Sequence, residues 1–139
     1  PRPAAPIPDY ALSLSGGAQE IRAEPSSGTR FYPETTLEVV VRPDQGTDRP
    51  VHIEAVFEDP AGRVRRIEGT FDEAPGGAFR LRGPAGELFP EAFGRIAATV
   101  VVSSDPSLGS RSPESLQSTI DDESTEALRF ELLLVRESP

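Results

Sequence analysis

Between Val51 and Phe71 the chain reads VHIEAVFEDPAGRVRRIEGTF, and Val51, Ile53, Ala55 and Phe57 alternate with His52, Glu54, Val56 and Glu58. A period of two sends successive side chains to opposite faces, so this run predicts a half-buried strand. Asp59-Pro60-Ala61-Gly62 follows and supplies turn chemistry: an Asp that accepts local N–H bonds, a Pro that fixes φ, and a Gly free to take positive φ. On the return, Val64 and Ile67 have opposite parity, and a β-bulge at Arg65-Arg66 would bring both to the apolar face. That register sets Val64 opposite Phe57, Ile67 opposite Ala55, Gly69 opposite Ile53 and Phe71 opposite Val51, with Glu54 facing Glu68 on the outer side. A lone hairpin is marginal in water, so further strands must cover it.

The alternation recurs along the chain. Tyr10, Leu12 and Leu14 predict a first strand stopped by Gly16-Gly17, with a short second one over 18–23. Leu37, Val39 and Val41 predict another, closed by Pro43, which cannot donate to a ladder. Asp72 to Gly77 reads as a turn, and Phe79 and Leu81 mark a short strand with Arg80 and Arg82 outward. Gly94 to Ser103 is apolar on both parities, the mark of a central strand buried on both faces. Leu128, Phe130, Leu132 and Leu134 form the last strand. Leu88, Phe89 and Phe93, in GELFPEAFG, are too irregularly spaced for either element and are expected to plug an open end.

Two segments lack this pattern. Residues 1–8, PRPAAPIP, read as an extended proline-rich linker. Residues 104–125 form a long polar loop inside a single domain spanning 9–139. Within that loop Ser112-Pro113-Glu114 could cap a short helix with Leu116 and Ile120 on one face. Seven or eight strands without an internal repeat predict an all-β fold, an immunoglobulin-like antiparallel β-sandwich.

Composition narrows the function classes. A net charge of −9 opposes nucleic acid, whose phosphates need a basic footprint. No apolar run approaches the ~20 residues of a membrane span, so direct insertion of this domain is not expected. Lys and Cys are absent, which removes thiol chemistry. Exclusive use of Arg beside abundant Ala, Pro and Gly reads as the bias of a GC-rich bacterial genome.

Candidate chemistry is sparse. His52 is the single His, which leaves zinc without its usual N and S ligands and a Ser nucleophile without an obvious base. Asp44 to Asp48 and Asp121 to Glu123 offer oxygen ligands but match no EF-hand loop. No cofactor or metal is expected, and no catalytic residue is assigned. The constellation that stands out is Arg63, Arg65, Arg66, Arg80 and Arg82. If the Phe79 strand lies beside the return strand of the hairpin, five guanidinium groups gather on one outward surface, where Arg suits planar recognition of carboxylate or phosphate. The same groups could instead bridge Glu54, Glu58 and Glu68.

Tyr10-Ala-Leu-Ser-Leu-Ser-Gly-Gly17, Leu37 to Pro43, the Val51 strand, Gly77-Ala-Phe-Arg-Leu-Arg-Gly83, Glu87-Leu-Phe89 and Gly94 together resemble the C-terminal extracytoplasmic domain of anti-sigma-factor-like, zinc-finger membrane proteins of GC-rich bacteria. The resemblance spans about Tyr10 to Arg136 and lacks the family's Trp near Ile96 and in the last strand. It implies a β-sandwich outside the cytoplasmic membrane, anchored by a segment beyond these 139 residues. The expected function is a non-enzymatic sensor or protein-interaction domain with a protein partner. An accessory carbohydrate-binding or adhesive module of a secreted protein is the alternative, and it would call for a row of exposed aromatics; the chain has two Tyr and no Trp.

Overall fold

Each alternating run becomes a strand in the computed structural model, which describes residues 6–16, 19–22, 30–46 and 50–136. In chain order the strands are β1 (Tyr10–Gly16), β2 (Gln19–Arg22), β3 (Arg30–Phe31), β4 (Thr36–Pro43), β5 (His52–Glu58), β6 (Val64–Arg66), β7 (Asp72–Ala74), β8 (Ala78–Pro84), β9 (Gly94–Ser103) and β10 (Thr125–Leu134). Two short helices, α1 (Ala85–Leu88) and α2 (Pro113–Gln117), interrupt them. The fold is all-β. One sheet has the order β2-β1-β4-β8-β7 and the other β3-β10-β9-β5-β6. Among the described residues this makes ten strands; β3 and β7, two and three residues long, are too short to leave a periodic trace. β3 runs parallel to β10, while every other pairing is antiparallel.

The two sheets share one core. Leu14, Leu37, Val39 and Leu81 of the first sheet pack with Phe57, Ile96, Val100 and Leu132 of the second, all 2 % exposed or less. Burial of each such side chain contributes roughly 1.5–3 kcal/mol. Leu88 and Phe89 are buried in this core, Leu88 as the last residue of α1 where no helix was expected, and the Phe89 ring stands edge-on to Phe57 at 5.1 Å. Phe93 does not join them; it stays 37 % exposed beneath the Arg136 guanidinium, 4.4 Å from the ring centre.

A third layer lies over the second sheet. The segment after β9 folds back as a 3-10 turn at Leu108–Ser110 and then α2, and it buries Leu108 and Leu116 against Val56 and Val101 on the outer face of β5 and β9. The helix cap is as read: the Ser112 hydroxyl accepts from the Ser115 N–H at 3.1 Å, with Pro113 next. Ile120 departs from expectation. The helix ends at Gln117, so no further turn carries Ile120 back to the sheet, and it is 85 % exposed.

This layer also corrects the hairpin. Arg65, not Val64, stands opposite Phe57; Val64 pairs with Glu58 and Arg66 with Val56 in an unbroken ladder. No bulge is needed because both faces of the return strand meet apolar surface. Ile67 turns into the main core while Val64 packs against the outer cluster of Val56 and Leu116. Past Ile67 the return chain leaves β5, so Gly69 and Phe71 have no strand pairing with Ile53 and Val51. Asp72 to Ala74, read as turn, instead pairs with β8 in the other sheet.

The proline-rich segment read as linker over 1–8 meets the fold at its C-terminal end. Ile7 packs against the core and its N–H donates to the Glu123 carbonyl at 2.9 Å; residues 1–5 lie outside the described residues.

Candidate interaction surface

The sheet order divides the five arginines. β8 lies between β4 and β7, and β6 is at the edge of the opposite sheet. Arg63, Arg65 and Arg66 therefore belong to one layer and Arg80 and Arg82 to the other, and no single patch of five forms.

The hairpin arginines are structural. Arg65 lays its guanidinium over the Phe57 ring, 4.9 Å from the centroid, and Nη2 donates to the Pro90 carbonyl at 2.9 Å. Its Nε is buried with no hydrogen-bond partner among the described residues, so the aromatic face is what that edge of the cation meets. Arg66 binds Glu54 Oε1 at 2.6 Å and donates to the Arg111 carbonyl at 2.6 Å, joining the hairpin to the covering layer. Arg63 is exposed and rests against Asp59 at 3.4 Å. Asp59 is the centre of this group, its carboxylate 3 % exposed. Oδ1 accepts the Arg63 and Ala61 N–H groups at 3.0 and 2.9 Å. The Arg63 backbone N–H, with lesser help from the Ala61 N–H and the charges of Arg63 and Arg65, holds its carboxyl below the ordinary Asp range against the cost of burial. Gly62, at φ +86°, lets the chain reverse there. Of the alternative salt bridges, only Glu54 takes an arginine among the described residues; Glu58 accepts from the Gln117 amide at 2.7 Å.

The outer face of the first sheet is different. Among the described residues no element covers it. On β4, Glu38, Val40 and Arg42 point outward between the buried Leu37, Val39 and Val41. On β8, Arg80 and Arg82 do the same around the buried Leu81. The register sets Val40 opposite Arg80 and Glu38 opposite Arg82, with Ser13 and Ser15 of β1 on the far side of the same two β4 residues. Arg42, Arg80 and Arg82 thus surround the half-buried Val40, with Asp72 of β7 opposite Arg80 and a cleft of about 300 Å³ that Asp72 and Glu73 also line. Arg80 stands 4.0 Å from Glu38, and among the described residues neither Arg42 nor Arg82 has an ion-pair partner. Arg42 escaped the sequence reading, although its alternation with Val40 already placed it outward; what was missing was the β4–β8 pairing.

At the opposite end, acidic groups crowd together. Tyr10 N–H donates to Glu126 Oε1 at 2.7 Å, linking β1 to β10. Burial, and then the nearby charges of Asp121, Asp9 and Asp44, push the Glu126 carboxyl upward, while the Tyr10 bond acts the other way. A raised folded-state value means that this group favours folding when protonated and loses that contribution as pH rises through it. Glu126→Gln should therefore raise Tm at pH 7, and the gain should vanish below about pH 4, where an unfolded Glu is itself protonated. A thermal melt series from pH 3.5 to 8 reads this directly; a gain independent of pH would contradict it.

In one of the two loops considered for calcium, Asp121 and Asp122 use carboxylate oxygens internally. Asp122 Oδ1 accepts the Ser124 N–H and hydroxyl at 2.8 and 2.9 Å, and Asp121 accepts the Ala127 N–H at 2.8 Å. Thr47 and Asp48 of the other candidate lie outside the described residues. Among the described residues no group of three or more His, Asp or Glu is placed to hold a metal ion, and no helix is long and apolar enough to cross a membrane. No protein-family model matches the chain, and no curated protein matches it.

Proposed function

We propose that this chain is an immunoglobulin-like, non-enzymatic sensor or protein-interaction domain, carried outside the cytoplasm by a membrane-anchored bacterial protein. Its strand order supports the immunoglobulin reading: β1-β4-β8-β7 against β10-β9-β5 follows the A-B-E-D and G-F-C arrangement of such folds. The location rests on the resemblance to anti-sigma-factor-like membrane proteins. Protease accessibility in intact cells tests it: cleavage before lysis supports it, and protection until lysis opposes it.

The interaction reading is carried by one observation, the exposed Arg42, Arg80 and Arg82 around Val40 on a protein of net charge −9. Guanidinium groups with unused donors favour a partner that presents carboxylates, and complementary charge sets orientation and on-rate. A photo-crosslinking amino acid at Val40 in cells should trap a protein partner. The trapped adduct should disappear in the R42Q/R80Q/R82Q variant while Tm changes little, because substitutions of exposed side chains shift stability by only about 0.5 kcal/mol. An undiminished adduct in that variant would remove the face from consideration.

A further inference from the structure

The outward residues of the first sheet are ordered about Val40. On β4, Glu38 stands two residues before it and Arg42 two residues after it, so an acid and a base lie at equal distances on either side. The neighbouring strands extend these rows. β1 sets Ser15 beside Glu38 and Ala11 beside Arg42. β8 sets Arg82 beside Glu38, and one rung past Val41 and Phe79 it sets Ala78 beside Arg42. The middle row holds Ser13, Val40, Arg80 and Asp72.

A two-fold axis laid along that middle row, in the plane between two such faces, exchanges the outer rows. Glu38 of one copy then meets Arg42 of the other, and Arg42 meets Glu38. Ser15 meets Ala11, and the long Arg82 lies over the short Ala78. Val40 meets Val40, with Arg80 of each copy one strand away from Asp72 of the other. The place above Ala78 is the cleft of about 300 Å³, which Asp72 and Glu73 also line. Among the described residues Asp72, Glu73 and Arg82 have no ion-pair partner within the chain, and Arg80 reaches Glu38 only at 4.0 Å. Arg82 of a second copy therefore enters a cleft that offers it two unpaired carboxylates. A partner presenting acid alone would instead meet Asp72 and Glu73 as like charges, which is costly across an interface.

We propose that the arginine face is a self-complementary interface at which two copies of this chain pair about a two-fold axis through Val40. This pairing rests on the reading of that face as the interaction surface, and it names the partner. A two-fold interface uses one patch on both subunits, so every contact occurs twice; the order Glu38, Val40, Arg42 has the symmetry that this requires. Strands about 4.8 Å apart and a rise of about 3.4 Å per residue give the patch on β1, β4, β8 and β7 roughly 400 Å² in each copy. That is half of the ~800 Å² per partner in a stable complex. The pair is accordingly weak, with a dissociation constant of roughly 10 μM to 1 mM.

Sedimentation equilibrium of the chain across that concentration range reads the association, and a monomer–dimer equilibrium is expected. Glu38→Arg alone, or Arg42→Glu alone, sets like charges opposite one another twice over and should weaken dimerisation by roughly tenfold or more. Glu38→Arg combined with Arg42→Glu reverses the order but keeps acid against base, and should return the constant to within about threefold of the parent. Arg82→Ala should weaken the dimer by emptying the cleft. All four positions lie on the outer surface of the sheet, and an unchanged Tm shows that each variant folds. A chain still monomeric at about 2 mM, beyond the expected range, overturns the proposal. A double variant that associates no better than the single ones also overturns it, since Glu38 and Arg42 would then not face each other. A Val40 adduct that contains a different protein and is lost in R42Q/R80Q/R82Q overturns the self-pairing and leaves the arginine face standing. An adduct undiminished in that variant removes the face, and the pairing with it.

Discussion

Phe57→Ala will lower stability by about 3–5 kcal/mol, the range for emptying a large aromatic site in a close-packed core. Phe57 is 1 % exposed and holds three things together: the inner face of β5, the edge-on ring of the buried Phe89, and the Arg65 guanidinium above it. Its removal leaves a cavity and deprives a partly buried cation of its aromatic partner. Urea unfolding gives the measurement, and a loss below about 1 kcal/mol would mean that the packing around Phe89 does not depend on this ring. A double-mutant cycle with Arg65→Met separates the two effects. Met keeps the packing volume and removes the charge, so a coupling of about 0.5–2 kcal/mol would belong to the cation and ring.

Leu116→Ala should cost about 2–5 kcal/mol, as much as a Leu in the central core. The residue lies in a segment of Ser, Pro and acidic residues that reads as a surface loop, and loss of a loop side chain would ordinarily change stability by less than about 0.5 kcal/mol. Here it is fully buried against Val56, Val101 and Leu108. The shift in denaturant midpoint distinguishes a structural layer from a loop, and Ile120→Ser, at an exposed position four residues on, is the internal control expected to change nothing.

Strands whose one face meets the core and whose other face meets water could be read from the chain, because solvent enforces the alternation. β1, β4, β8 and β10 are of this kind, and the Asp59 to Gly62 turn was equally legible through its residue types. β6 was not, because Val64 and Ile67 are both buried but in different layers, and parity cannot reveal a second layer that is built from a distant loop. The arginine surface failed for a related reason. Alternation states which face a side chain occupies but not which strand lies next to it, so Arg80 and Arg82 were placed outward correctly and given the wrong neighbours. Their true neighbour, Arg42, lies about forty residues earlier in the chain. Ser112 and Pro113 announced the start of α2, whereas nothing local marks its end at Gln117, and Ile120 was misplaced accordingly.

The covering of one sheet and the bareness of the other divide the chain's freedom to vary. On β4 and β8 every second position is released from the interior, so Glu38, Val40, Arg42, Arg80 and Arg82 can be rewritten for a new partner with little effect on folding. On β9 from Ala98 to Ser103 consecutive residues are all buried, and an altered side chain there disturbs one layer or the other whichever way it points. New binding specificities are therefore accessible through the first sheet by single substitutions, while the second sheet is committed to holding the molecule together.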